Sequence, residues 1–210
     1  MTLNKSLLIV FIILVVDQVS KVYIKLNFPL TIYGELPLFD LGWFKLLFIE
    51  NKGMAWGATI NDFLPFISER DGKLFLTLFR MVAVTFIFYW LYNSVKQHSS
   101  KLLTISLSLI LAGAIGNIID SVFYGYFFTN SYYNVAQFNP GNGYESFFHG
   151  HVVDMLQFPM FTWVWPDWIP YFGGNEFTFF EPVFNIADTS ISIGVGIMLF
   201  FNKKIYSENL

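Results

Sequence analysis

The sequence contains no cysteine. Disulfides, thiolate metal sites and a cysteine nucleophile are therefore excluded. Charge is also scarce: 13% of the residues are Asp, Glu, Lys or Arg, and the net charge is −3. No basic run is long enough for a nucleic-acid footprint, so nucleic acid is not an expected partner. From Ser121 to Phe201 there is no Lys or Arg at all. No A-x-A cleavage site follows the apolar N-terminal run "MTLNKSLLIVFIILVV", which continues into "DQVSKVYIKL". That run reads as an uncleaved first span and not as a secretory leader.

What is present is apolar. Hydrophobic residues make up 55% of the chain and aromatics 20%, with a mean hydropathy of +0.53. This composition points to an integral membrane protein. A bilayer core of about 30 Å needs about 20 residues of helix. Residues 6–26, 74–95, 102–123 and 182–201 meet that need, so the expected architecture is an all-α membrane protein with four transmembrane helices in one domain. The turn "KQHSSK" makes the second and third a tight hairpin, and the connections 27–73 and 124–181 are long. Lys5, Lys96, Lys101, Lys203 and Lys204 flank one side of this arrangement. By the positive-inside rule both termini and the short turn are cytoplasmic and both long connections external, although Lys21 and Lys25 run slightly against it. The first connection holds "GWFKLLFIENKGMAWG", a pattern for a short strand and turn. The second holds "MFTWVWPDWIPYFGG", which reads as an interfacial aromatic belt.

Polar residues interrupt these spans in a pattern. Asp17 and Lys21 stand at i, i+4; Asn117 and Asp120 at i, i+3, behind Gly113 and Gly116; Asn185 and Asp188 again at i, i+3. Each pair shares one side of its helix. With a rise of about 1.5 Å per residue, all of them fall in the external half. Asp154, in "HGHVVDMLQF", is flanked by Val153 and Met155 and belongs against the membrane surface. Two readings of Asp154 and Asp188 stand. They have separate structural roles, such as helix capping or ion pairing, or they form a pair sharing a proton, one as general base and one as general acid. Asp17 with Lys21 reads as a structural ion pair, and Asn117 with Asp120 as inter-helix hydrogen bonding beside small residues. His149, His151, Glu145 and Asp154 match no closed zinc spacing, and no HExxH is present, so neither metal nor cofactor is expected. Ser20 and Lys21 are adjacent on a helix and do not face each other, which argues against a Ser–Lys nucleophile.

Five short blocks carry a resemblance: "DQVSK" (17–21), "ENKGMAWG" (50–57), "GAIGNIID" (113–120), "HVVDM" (151–155) and "FNIADTSI" (184–191). In this order they resemble the lipoprotein signal peptidases (signal peptidase II) of bacteria. The resemblance implies an aspartyl endopeptidase of the inner membrane that removes the signal peptide from diacylglyceryl-modified prolipoproteins, cutting before the lipidated Cys. It implies Asp154 and Asp188 as the catalytic pair. Asn51, Gly53, Asn117 and Asn185 would position substrate or support the dyad, and Asp17, Lys21 and Asp120 would be structural or supporting. It also implies four membrane helices with a small extracytoplasmic β-cradle, contact with membrane lipid, and inhibition by globomycin-type antibiotics.

Two departures stand out. Ser121 occupies the place of the family's Arg after the Asp120 block, and the stretches before Asp154 and after Met155 are lengthened. Arg80 is the Arg that lies inside a later span. It either snorkels to lipid headgroups or takes over the missing role by reaching Asp120 or substrate carbonyls. Against the peptidase stands a small proton-coupled transporter or channel, since intramembrane acids mark such paths too. The apolar inner segments "LLIVFIIL" and "VGIMLFF" leave it no relay to the cytoplasm. A noncatalytic assembly factor would have no use for a carboxylate pair.

Overall fold

The computed structural model describes residues 1–31, 37–53 and 58–207, with backbone alone at 206 and 207. Residues 54–57, the end of the block "ENKGMAWG", lie outside the described residues. Helix α1, Leu3–Asn27, buries only a stripe: Ser6, Val10, Asp17, Lys21, Ile24 and Lys25. Leu8, Phe11, Ile12, Val15, Val16 and Val19 face outward. That is a soluble helix turned inside out, with aliphatic side chains outside and charge inside, as suits hydrocarbon.

A short strand β1 (Phe39–Asp40), strand β2 (Lys45–Asn51) and the one-turn helix α2 (Ile60–Phe63) follow. Helix α3 spans Glu69–Lys96. It starts before residue 74, where hydropathy alone placed it, because Ser68 accepts the Asp71 N–H (3.1 Å) and Glu69 and Asp71 suit a helix N-terminus. Helix α4, Lys101–Ile119, is capped by Ser100 and runs on through a π-helical turn, Asp120–Tyr124, into α5, Gly125–Phe127. Among the described residues three segments are long and apolar enough to cross a membrane: Leu3–Asn27, Glu69–Lys96 and Lys101–Phe127.

The expected fourth span is shorter than its hydropathy suggested. Helix α6, Ile186–Phe200, has 15 residues, which is about 22 Å at 1.5 Å per residue. Residues 182–185 are not helical, because Asn185 is its N-cap. A last short helix, α7 (Asn202–Ser207), follows.

The strand expected in "GWFKLLFIENKGMAWG" is β2, and its main partner comes from a distant stretch. Strand β3 (Val152–Gln157) pairs antiparallel with β2, placing Asp154 opposite Ile49 and Val152 opposite Asn51. The sheet order is β1-β2-β3. The aromatic belt folds as a separate hairpin of β4 (Phe161–Val164) and β5 (Glu176–Phe179). Phe161 stacks on Phe179 and Trp163 packs on Phe177 across it.

Helices α4 and α6 touch at their backbones. A Cβ on Gly113 would lie 2.1 Å from the Ala187 carbonyl oxygen, and one on Gly116 would lie 2.7 Å from Asp17 Oδ2. The Gly113→Ala variant is therefore expected to lose about 1–3 kcal/mol through overpacking. Gly196, with open space around it, is the control. Thermal unfolding in detergent would show a lowered midpoint for Gly113→Ala and little change for Gly196→Ala.

Candidate active site

The polar residues converge where β3 meets the N-terminus of α6. Asp188 sits in the first turn of α6, not in mid-helix. It completes a capping box with Asn185: Asn185 Oδ1 accepts the Asp188 N–H (2.9 Å), and Asp188 Oδ2 accepts the Asn185 N–H (3.3 Å). This answers the cost of an acid in an apolar segment, because a helix N-terminus offers unpaired N–H groups and a positive dipole end. Capping occupies one side of the carboxylate. Its Oδ1 accepts a hydrogen bond from Asn117 Nδ2 (2.8 Å).

Asp154 projects from β3 and is 4% exposed. Its Oδ1 accepts from Asn185 Nδ2 (2.8 Å) and its Oδ2 from Asn51 Nδ2 (3.2 Å). Asn185 thus caps the helix carrying one acid and holds the other. Burial pushes the Asp154 carboxyl up to about 7, and the negative charge of Asp188 pushes the same way. The hydrogen bonds from Asn51 and Asn185 and the charge of Lys21 offset part of this. Each carboxylate accepts two N–H donors: Asp154 from Asn51 and Asn185, and Asp188 from Asn117 and the Asn185 backbone.

Beneath them lies a charged cluster. Lys21 Nζ pairs with Asp17 Oδ2 (3.0 Å) and Asp120 Oδ2 (2.8 Å), all three essentially fully buried, and donates to Asn117 Oδ1 (3.1 Å). Asp17 Oδ1 accepts the Ala187 N–H (2.9 Å), which satisfies another open donor of α6. Asp120 Oδ2 accepts the Val153 N–H of β3 (3.3 Å). The cluster thereby fixes both elements that carry the acids. The expected pair of Asp17 and Lys21 exists, with Asp120 as a third member.

One branch of the Arg80 expectation, a direct contact to Asp120, is not seen: Asp120 takes its cation from Lys21 and has no hydrogen bond from Arg80. The guanidinium donates Nη2 to the Gly53 carbonyl (3.3 Å), and Asp188, Asp154 and Asp120 all act on it electrostatically. It turns inward, not to lipid headgroups. Nor is the Ser121 position open for a long cation. Ser121 is fully buried, its Oγ donates to the Asn117 carbonyl (3.0 Å), and Gly150 covers it with an N–H bonded to its carbonyl (2.8 Å). A Cβ on Gly150 would meet the Asp120 carbonyl oxygen at 2.2 Å. The lengthened loop closes over the site where the family carries Arg.

The histidines separate. His151 Nδ1 lies 3.1 Å from Glu50 Oε2, and His149 Nδ1 2.8 Å from the Phe147 carbonyl. Among the described residues no group of three His, Cys, Asp or Glu could hold a metal ion. Gly53 donates its N–H to Asn51 Oδ1 (3.0 Å), fixing the Asn51 amide toward Asp154.

Sequence reasoning missed two supports. Gln18 donates to Asp17 (3.1 Å), to the Gly116 carbonyl (3.2 Å) and to Asp120 (2.9 Å). Lys25 pairs with Glu50, which also accepts from Ser131 (2.8 Å). Burial pushes the Glu50 carboxyl up, but the His151 hydrogen bond and the Lys25 ammonium outweigh it and hold it at about 2. Gln18 lay inside a quoted block and could have been found. Glu50 with Lys25 has no local spacing signal.

Residues 9–202 match the family described as Signal peptidase (SPase) II. The lipoprotein signal peptidase of Porphyromonas gingivalis is 47% identical over 193 residues, covering 91% of this chain and 79% of that relative. That of Amoebophilus asiaticus is 36% identical over 192 residues, covering 91% and 74%. A bacterial membrane enzyme solved at 2.3 Å resolution shares the fold with a TM-score of 0.58 at 22% identity, covering 99% of this chain and 93% of that one. A match across nearly the whole chain, with relatives at this identity, means that this protein belongs to the signal peptidase II family.

Proposed function

We propose that this protein is an intramembrane aspartyl endopeptidase that removes the signal peptide from diacylglyceryl-modified prolipoproteins, cutting before the lipidated Cys. One observation carries the reading. Asp154 of β3 and Asp188 of α6 are linked through a single residue, Asn185, and burial with the neighbouring Asp188 charge raises the Asp154 carboxyl to about 7. Such a pair activates water directly: the ionised carboxylate takes a proton from water, the hydroxyl adds to the scissile carbonyl carbon, and the protonated carboxyl supplies the proton that leaves with the amine. Asn51, Asn117 and Asn185 position the dyad, and Arg80 faces substrate carbonyls beside Gly53.

In this reading α6 is the fourth crossing, in the bacterial inner membrane. Both termini and the turn at Lys96–Lys101 are cytoplasmic. The sheet and the dyad lie near the outer face, where a lipid-modified substrate arrives laterally from the bilayer. Globomycin-type compounds are expected inhibitors. A transporter would need a polar path to the far end. There the hydroxyls of Thr104, Ser106 and Ser108 donate to carbonyls of their own helix.

The direct test is a gel-shift assay with purified enzyme and a diacylglyceryl-modified prolipoprotein. Unmodified precursor is expected to stay intact, and no cleavage of the modified form would reject the proposal. The Asp154 value gives the pH dependence a sign. Activity should decline as pH rises through about 7, where Asp154 loses the proton it donates. Its carboxyl binds a proton more tightly folded than unfolded, so the stability it adds is lost as pH rises from 3.8 toward 7. Thermal midpoints measured across that window should fall in the parent protein and stay flatter in Asp154→Asn.

A further inference from the structure

A cavity of about 330 Å³ opens between the start of α3, residues Gly53 and Thr59, and the loop carrying Tyr144, His149 and His151. Lys73 forms part of its wall and is 8% exposed. Its ammonium has no hydrogen-bond partner among the described residues, and neither does Arg80 Nη1, two turns further along α3. The other cations of the cavity are committed. Lys52 lies 3.6 Å from Glu69, and Arg70 lies 3.7 Å from Glu145. One buried amino group is therefore left without a partner among the described residues. A buried polar group without a hydrogen bond is costly and points to a ligand. The cavity adjoins the dyad: Gly53, in its wall, donates to Asn51, which donates to Asp154.

Resting on the peptidase reading above, we infer that this cavity is a subsite for a carboxylate side chain on the mature part of the substrate, just beyond the scissile bond, with Lys73 as its counter-ion. Its size admits a side chain or two. Charged and polar side chains line it beside apolar Ile60 and Leu76, a mixture that suits a peptide side chain; a lipid headgroup is the competing occupant that the test separates. Gly53 is the wall that the cavity shares with the dyad.

The test uses the full-length enzyme and modified substrate peptides that carry Asp or Asn at successive positions after the lipidated Cys. In the wild type, kcat/KM should favour Asp by about tenfold at one register, mainly through KM, on the scale of one charge-assisted contact. In Lys73→Met the Asp/Asn ratio should fall to near one. Equal rates for Asp and Asn in the wild type overturn the inference, as does a preference spread evenly over all registers, which means general attraction only. Both results need no variant. A ratio that survives in Lys73→Met also overturns it, as does a Lys73 effect that follows anionic against zwitterionic bicelles and not the substrate. Failure to cleave either peptide series rejects the peptidase reading itself, and this subsite with it.

Discussion

Asp154→Asn and Asp188→Asn are each expected to lower prolipoprotein cleavage by about a thousandfold or more, while the protein still inserts and folds. General acid–base transfer contributes about 10²–10⁴-fold, and either amide removes one partner from it. The amide is the informative replacement because it keeps the shape and part of the hydrogen bonding. At Asp188 the Oδ2 accepts the Asn185 N–H and the Oδ1 accepts from Asn117. An amide oxygen can keep one of these bonds, whereas Asp188→Ala would also strip the cap and confuse loss of fold with loss of chemistry. The measurement is single-turnover cleavage of the modified precursor, with circular dichroism and size exclusion to verify folding. Near-parent turnover in either amide variant would remove that residue from the dyad.

The second large effect is on stability. Lys21→Met should cost about 3–5 kcal/mol, because it leaves Asp17 and Asp120 buried without their counter-ion. The cost spreads through named contacts: Asp17 holds the Ala187 N–H, Asp120 holds the Val153 N–H, and Asn117 loses a donor. Activity should therefore fall with stability. Adding Asp120→Asn to Lys21→Met removes one stranded charge and should recover part of the thermal midpoint. Unfolding followed in detergent for parent, single and double variants checks this. A single variant as stable as the parent would show that the cluster is not held by Lys21.

Much of this was legible in the chain, for identifiable reasons. Long apolar runs located three helices because hydropathy is a local property. The i, i+3 pairs of Asn117 with Asp120 and of Asn185 with Asp188 were visible because helical periodicity maps spacing onto a face. The start of α6 was misjudged because Pro182, Val183 and Phe184 are apolar without being helical; the cap at Asn185 decided the boundary, not the hydropathy. Strand β3 was not seen as a strand, since its pairing with β2 spans about a hundred residues of chain and no local signal encodes a partner that distant. Arg80 was placed near Asp120 or substrate carbonyls by its depth and by the hairpin that pairs its helix with that of Asp120. Depth fixes height along an axis but not the direction around it, and Lys21 was already nearer. Lys73 gave no signal, being one lysine near the end of a span.

The position of Asp188 inside a capping box has a consequence for the cell that makes this protein. On the dyad reading, a residue of the capping box that starts α6 also performs the chemistry, and its partner Asp154 arrives only when β3 has found β2. A newly inserted copy with its helices in the bilayer but its sheet unpaired has one carboxylate without the other. Such a copy cannot cut the polypeptides around it. On that reading, proteolytic competence waits on the pairing of β3 with β2.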